Sequence, residues 1–335
     1  MSMLIEASDG NLQFVAYNEE DNTLTHWWRN ESDPSHPWVG PTATISTKAT
    51  GPGCIIQSTY GTPNNPGNFE VVVPEGNNLV HYWRDNSAPG NPWVGPTATI
   101  STKATGPASL IQSTYGTPQH VGNFELVVPE GNNLVHYFRD NDPALGPSPW
   151  RGPTATITNQ AAGPGALIQS TYMASGAKYG NFEVVVPVGG SLVHFSRDNS
   201  NGNWSGPATI TSGGTWPSLI QSSYGTPQNQ GNFEVIMIQQ GNLVGWARNN
   251  TGGMKWGPTG TVCSNADGPN ALIQGNYGEV NGSPGNFEAI TNIGGNYTHY
   301  YRVNSEPQTP WLAGPVITSE DESVKDGPRN KNVPC

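Results

Sequence analysis

A unit of 51 to 57 residues recurs six times along the chain, and this recurrence limits the fold more than any other feature. The segment Leu110-Ile111-Gln112-Ser113-Thr114-Tyr115-Gly116 returns with small changes at Ile55, Leu167, Leu219 and Leu272, and in weaker form at Leu4. Further on in each copy comes Gly67-Asn68-Phe69-Glu70-Val71-Val72-Val73, with counterparts at Asn123, Asn181, Asn232 and Asn286 and a divergent first copy at Asn11-Leu12-Gln13. Next is Asn78-Leu79-Val80-His81-Tyr82-Trp83-Arg84-Asp85, then Trp93-Val94-Gly95-Pro96-Thr97-Ala98-Thr99-Ile100. Each copy reads as four short strands rich in Val, Ile, Thr and aromatics, bounded by Gly, Pro and Asn clusters. Glu75-Gly76-Asn77-Asn78 is a hairpin signal, because Gly and Asn tolerate positive φ.

Four antiparallel strands repeated six times predict an all-β, six-bladed β-propeller, a single domain over 1–335. The blades fall at about 1–54, 55–109, 110–166, 167–218, 219–271 and 272–335. A solenoid of stacked sheets is the competing architecture. In the third strand Leu79, His81 and Trp83 face one side and Val80, Tyr82 and Arg84 the other. Both sides are apolar enough to lie between neighbouring blades. The tail Asp326-Gly327-Pro328-Arg329-Asn330 resembles the Gly-Pro linkers, so the chain ends are expected to meet between blades six and one. No strand exchange between the termini is evident, which leaves closure to face-to-face packing.

Composition narrows the class. Gly and Pro total 72 of 335 residues, yet 31 aromatics remain, which a disordered turn-rich chain would lack. No run of 18 apolar residues exists, so no membrane-inserting helix is expected. The start, Met1-Ser2-Met3-Leu4-Ile5-Glu6, has no secretory pattern, and Cys54, Cys263 and Cys335 are scattered outside the repeat. A cytoplasmic location, or release without a signal peptide, is the expectation. A net charge of −11 weighs against nucleic acid and favours neutral partners.

Polar residues recur inside the strands: Arg29, Arg84, Arg139, Arg197, Arg248 and Arg302; His26, His81, His136, His194 and His299, with Gly245 in the fifth copy; and Glu70, Glu125, Glu183, Glu234 and Glu288, with Gln13 in the first. Gln57 recurs as Gln112, Gln169, Gln221 and Gln274, with Glu6 in the first copy. Buried charges must be paired, so one reading is a polar network between blades. The other is a cluster at each blade-to-blade groove, where the Arg fork and the Glu acceptors suit vicinal hydroxyls.

Aromatics divide similarly between roles. Trp38, Trp93, Trp150, Trp204, Trp256 and Trp311 open the fourth strands, either as anchors of the outer strand or as platforms for a pyranose face. The position of Trp28 and Trp83 varies, becoming Phe138, Ser196, Ala247 and Tyr301. Tyr60, Tyr115, Tyr172, Tyr224 and Tyr277 follow the first strands beside loops, as pocket rims or as structural residues. No calcium loop, HExxH, GxSxG, P-loop or Asp box is present, and the histidines are spread round the ring, so neither a cofactor nor a metal is expected.

Six near-identical blades with recurring Trp, Arg, Glu and His resemble the β-propeller lectins of fungi and bacteria over the whole chain. The resemblance implies a multivalent, non-enzymatic protein that binds glycans at shallow sites between blades, pairing the Arg and His of one blade with the aromatics and Glu of that blade or its neighbour. Gly245, Ser196 and Ala247 depart from the pattern. Two rival readings are a single-site enzyme at the propeller mouth, which predicts one place where the repeat breaks, and a protein-interaction scaffold.

Overall fold

The computed structural model describes residues 2–145, 149–224, 226, 230–278, 284–305 and 310–318. These form six four-stranded antiparallel sheets, each built from consecutive strands. Blade one holds β1 (Leu4–Glu6), β2 (Leu12–Asn18), β3 (Thr23–Arg29) and β4 (Trp38–Ser46); blade two holds β5 (Cys54–Gln57), β6 (Phe69–Glu75), β7 (Asn78–Arg84) and β8 (Trp93–Ser101). Blade three holds β9 (Ser109–Gln112), β10 (Phe124–Glu130), β11 (Asn133–Arg139) and β12 (Trp150–Thr158); blade four holds β13 (Ala166–Gln169), β14 (Phe182–Val188), β15 (Ser191–Asp198) and β16 (Asn203–Ser212). Blade five holds β17 (Thr215–Gln221), β18 (Phe233–Gln239), β19 (Asn242–Arg248) and β20 (Trp256–Ser264); blade six holds β21 (Asn270–Gln274), β22 (Phe287–Ile293), β23 (Asn296–Arg302) and β24 (Leu312–Val316). The chain is a six-bladed propeller.

The second strands explain why the pattern is apolar almost throughout. In β6, six of seven residues are buried, because each blade is covered on both faces by its neighbours. The fourth strands form the outer edge, and β8 is mostly exposed until its last two residues. Glu75 pairs with Asn78, so Gly76 and Asn77 make the two-residue turn, with Gly76 at φ 62°. Between β7 and β8 the register shifts twice, at Leu79/Val80 and at His81/Trp83. Such bulges increase strand twist. The Gly-Pro of the repeat belongs here: Gly95, at φ +154°, lies flat against the Tyr82 ring, where a Cβ would overlap it.

Closure involves more than packing. The carboxamide Oε1 of Gln57 accepts the Ser8 N–H at 2.7 Å, and Gln112, Gln169, Gln221 and Gln274 accept from Thr59, Thr114, Thr171 and Ser223 in the same way. Each blade thus grips the one before it. Glu6 completes the belt by accepting the Asn276 N–H at 2.7 Å, joining blade one to blade six. The tail at Asp326–Asn330, expected to sit at that seam, lies outside the described residues. Among the described residues no helix is long and apolar enough to cross a membrane.

Candidate functional site

The grooves between consecutive blades share one plan, with Gln13 in place of the glutamate in blade one and Gly245 in place of the histidine in blade five. The preceding blade supplies a Glu–His pair from adjacent second and third strands, and the following blade supplies the Arg that ends its third strand and the Trp that starts its fourth. Between blades two and three these line a cleft of about 650 Å³ that includes Tyr60, Glu70, His81, Trp83, Arg139 and Trp150.

The Glu and His side chains are satisfied within their own blade. Glu70 accepts from Ser58 Oγ at 3.0 Å and sits 2.9 Å from His81 Nε2. Thr97 Oγ1 lies 3.2 Å from His81 Nδ1 and donates to the His81 carbonyl. Blade three repeats this with Ser113, Glu125, His136 and Thr154. Blade four pairs Glu183 with His194 at 2.8 Å, and blade six pairs Glu288 with His299 at 2.6 Å. In blade one His26 meets Gln13 and Thr42 instead. All of these Glu and His residues are buried.

Arginine and the aromatics span the groove. Arg84 stacks 4.4 Å from the centre of Phe69 in its own blade, and its Nε donates to Asn86, which in turn donates to the Gly67 carbonyl. Arg139, Arg197, Arg248 and Arg302 stack on Phe124, Phe182, Phe233 and Phe287. Arg139 also faces Tyr60, Arg248 faces Tyr172 and Arg302 faces Tyr224, each Tyr belonging to the blade before. Tyr115, Tyr172 and Tyr224 donate across the groove to the carbonyls of Asn199, Asn250 and Asn304. Trp93, Trp150, Trp204, Trp256 and Trp38 pack on His26, His81, His136, His194 and His299 of the preceding blade. Trp311 packs on Phe287, with no imidazole opposite. Trp28 and Trp83 are half-buried.

The phenylalanine of the Gly-Asn-Phe-Glu segment was not among the expected site residues, although its recurrence in five copies was the available signal. Ser58 and Thr97 were likewise missed.

Two grooves break the repeat. Between blades five and six, Gly245 replaces the histidine and Ala247 the large aromatic. Glu234 keeps Ser222 at 3.2 Å and has no other hydrogen-bond partner among the described residues. Burial pushes its carboxyl up to about 7, against the lowering effects of the Arg302 charge and the Ser222 hydroxyl.

Between blades six and one, acidic residues from distant parts of the chain gather. Arg29 reaches Glu31 at 2.8 Å and Glu288 at 3.4 Å, and His36 lies 2.9 Å from Glu31. Tyr277, expected at the rim, meets His36 at 3.3 Å, while Arg302 and Tyr301 end β23. Glu6 stands in the place of Gln57. A Cβ at Gly275 would lie 2.9 Å from Glu6 Oε2 and 3.9 Å from Glu288 Cγ, so the two side chains flank one glycine. Burial lifts the Glu6 carboxyl above the ordinary range, the hydrogen bonds from Asn276 oppose this, and the Glu288 charge adds to the rise. Among the described residues no His, Cys, Asp and Glu cluster can hold a metal ion.

No family model and no curated protein matches the chain. Solved structures do. The α-L-arabinofuranosidase of glycoside hydrolase family 93 from Fusarium graminearum, in complex with arabinobiose, is 13% identical with a TM-score of 0.54, over 89% of this chain and 90% of that one. A mutant of a Fusarium graminearum α-L-arabinofuranosidase with an iminosugar inhibitor is 12% identical with a TM-score of 0.53, over 88% and 90%. At this identity the likeness carries the propeller fold alone. These whole-length neighbours are hydrolases and not lectins, which overturns the expectation of a multivalent, non-enzymatic lectin. The physical reason lies in the grooves. In blades two, three and four the recurrence that suggested repeated sugar sites is accounted for by Glu, His and Ser groups, with Thr in blades two and three, that satisfy one another inside the blade.

Proposed function

We propose that the chain is a carbohydrate-active enzyme that cleaves a glycosidic bond at the groove between blades six and one. The observation that carries this reading is the pair Glu6 and Glu288, a juxtaposition that breaks the repeat, since the other five blades carry a neutral glutamine at the Glu6 position. Glycoside cleavage uses two carboxyl groups, one protonated to donate to the leaving oxygen and one ionised to meet the positive charge that develops on the sugar. Glu6 suits the first role, because burial and the Glu288 charge hold its proton to higher pH than usual. Glu288 is placed for the second, with the His299 ring at 2.6 Å and the Arg29 guanidinium at 3.4 Å. Glu6 is partly exposed and Glu288 is buried, which matches a rim acid and an inner carboxylate. The neighbours captured with arabinobiose and with an iminosugar favour a neutral sugar, as does the net charge of −11.

Glu6→Gln tests the reading with little risk to folding, since glutamine performs the blade-joining role at this position in five copies. On a panel of aryl glycosides that includes arabinofuranosides, wild type is expected to release the aglycone. Glu6→Gln is expected to lose at least 100-fold on poor leaving groups and little on dinitrophenyl substrates, which need no proton. Glu288→Gln is expected to lose activity on both. No release from any substrate, or an unchanged Glu6→Gln variant, overturns the assignment.

A further inference from the structure

The groove between blades five and six lacks the imidazole that the other grooves carry, and Gly245 leaves a niche in its place. In blades two, three, four and six an imidazole lies between the glutamate of its own blade and a tryptophan of the next. His194, for example, is 2.8 Å from Glu183, with its ring centre 5.8 Å from Trp256 and 6.0 Å from Phe233. In blade five the equivalent glutamate, tryptophan and phenylalanine are all retained as Glu234, Trp311 and Phe287, but the imidazole is gone. Gly245 pairs with Ile236 at the point where His194 pairs with Val185. The large aromatic two residues on, Trp83 in blade two, is Ala247 here.

Glu234 is 6% exposed, accepts one hydrogen bond from Ser222, and presents its second oxygen with no partner among the described residues. A carboxylate oxygen without a partner on a side chain this buried favours a donor. The faces of Phe287 and Trp311, set 6.4 Å apart with their planes 29° from parallel, make the adjoining wall aromatic.

We propose that this niche is a binding site for a small planar heteroaromatic group bearing an N–H, which donates to Glu234 and packs on Trp311 and Phe287 as the missing imidazole does in the other blades. The site is independent of the Glu6–Glu288 pair, which lies in the next groove. Arg302, 4.5 Å from the Phe287 ring centre, stands at the same groove and disfavours a second positive charge, so the preferred ligand is neutral. The hydroxyl of Thr259 lies against Gly245, where a Cβ would meet it.

Imidazole is the probe, titrated against the whole protein at a pH above its own pKa and followed by the Trp311 indole resonance in NMR spectra. Saturable binding of the order of millimolar Kd is expected for a ligand of so few atoms. N-methylimidazole, which lacks the N–H when neutral, is expected to bind at least tenfold more weakly, and Glu234→Gln to weaken imidazole by a similar factor. Gly245→His, which supplies the side chain the other blades carry, is expected to abolish binding; its melting temperature and its NMR spectrum establish that it is folded. Ala247→Trp, which fills the niche from the second side, gives the same loss if Gly245→His fails to fold. No saturable binding of imidazole to wild type, equal affinity for N-methylimidazole, or undiminished binding to a folded variant with the niche filled overturns the proposal.

Discussion

Glu234 offers a direct measure of what the imidazole contributes in the other blades. Its carboxyl rises from an ordinary value of 4.5 to about 7, with burial as the largest cause. A group whose folded-state pKa lies above its unfolded value stabilises the fold, relative to its ionised state, only while it is protonated. That contribution is complete below 4.5 and is lost as pH rises through 7. At about 1.4 kcal/mol for each tenfold change in proton affinity, the full loss is about 3 kcal/mol, of which about 2–3 kcal/mol falls between pH 5 and pH 8. Glu234→Gln keeps a partner for Ser222 and cannot ionise, so it escapes this loss. Relative to wild type it is therefore expected to gain about 2–3 kcal/mol of stability on going from pH 5 to pH 8. Thermal unfolding at the two pH values is the assay. With an unfolding entropy of about 0.7 kcal/mol/K for a chain of this length, the difference in Tm between variant and wild type should widen by about 3–4 °C. A Tm difference that is the same at both pH values refutes the reasoning, as does a carboxyl resonance of Glu234 that titrates near 4.5. Either result would mean that Glu234 is solvated or fully paired, and the niche beside it would lose its chemical basis.

His26 carries the opposite sign: burial first, and the Arg84 charge second, lower its ring from 6.5 to about 3. Its stabilising contribution is present above 6.5 and is lost as pH falls toward 3, so nitrogen NMR should find this ring neutral down to about pH 4; a midpoint near 6.5 would contradict that. Gly95→Ala drives a methyl into the Tyr82 ring at a backbone angle that disfavours side chains. It is expected to cost at least about 2 kcal/mol, read as a fall in the urea midpoint, and an unchanged midpoint would remove the packing explanation for the recurring Gly-Pro.

The fold was legible in the sequence because a propeller solves one packing problem six times. Each blade must bury both faces of its second strand, so Phe69-Glu70-Val71-Val72-Val73 had to return almost unchanged, and the Gly76 turn and Gly95 bulge had to return with it. The polar residues were legible as a set for the same reason. Their roles were not, because recurrence is expected of a framework as much as of a binding site. Only the three-dimensional contacts decided that Glu70, His81, Ser58 and Thr97 satisfy one another inside a blade while Arg139 and Trp150 approach from the next one.

What the sequence by itself determined about this protein is the repeat, the strand pattern and the positions at which copies differ. It determined these because strand periodicity and turn chemistry act over a few residues. Tertiary structure alone decided the consequence of each difference. Glu6 in place of a glutamine reads as a minor divergence until closure of the ring sets it beside Glu288. The same closure brings Arg29 to Glu288, 259 positions away along the chain. Gly245 reads as a lost histidine until the retained Glu234, Phe287 and Trp311 are seen around the space it leaves. The grooves join residues from different repeats, and no local periodicity encodes which of them meet.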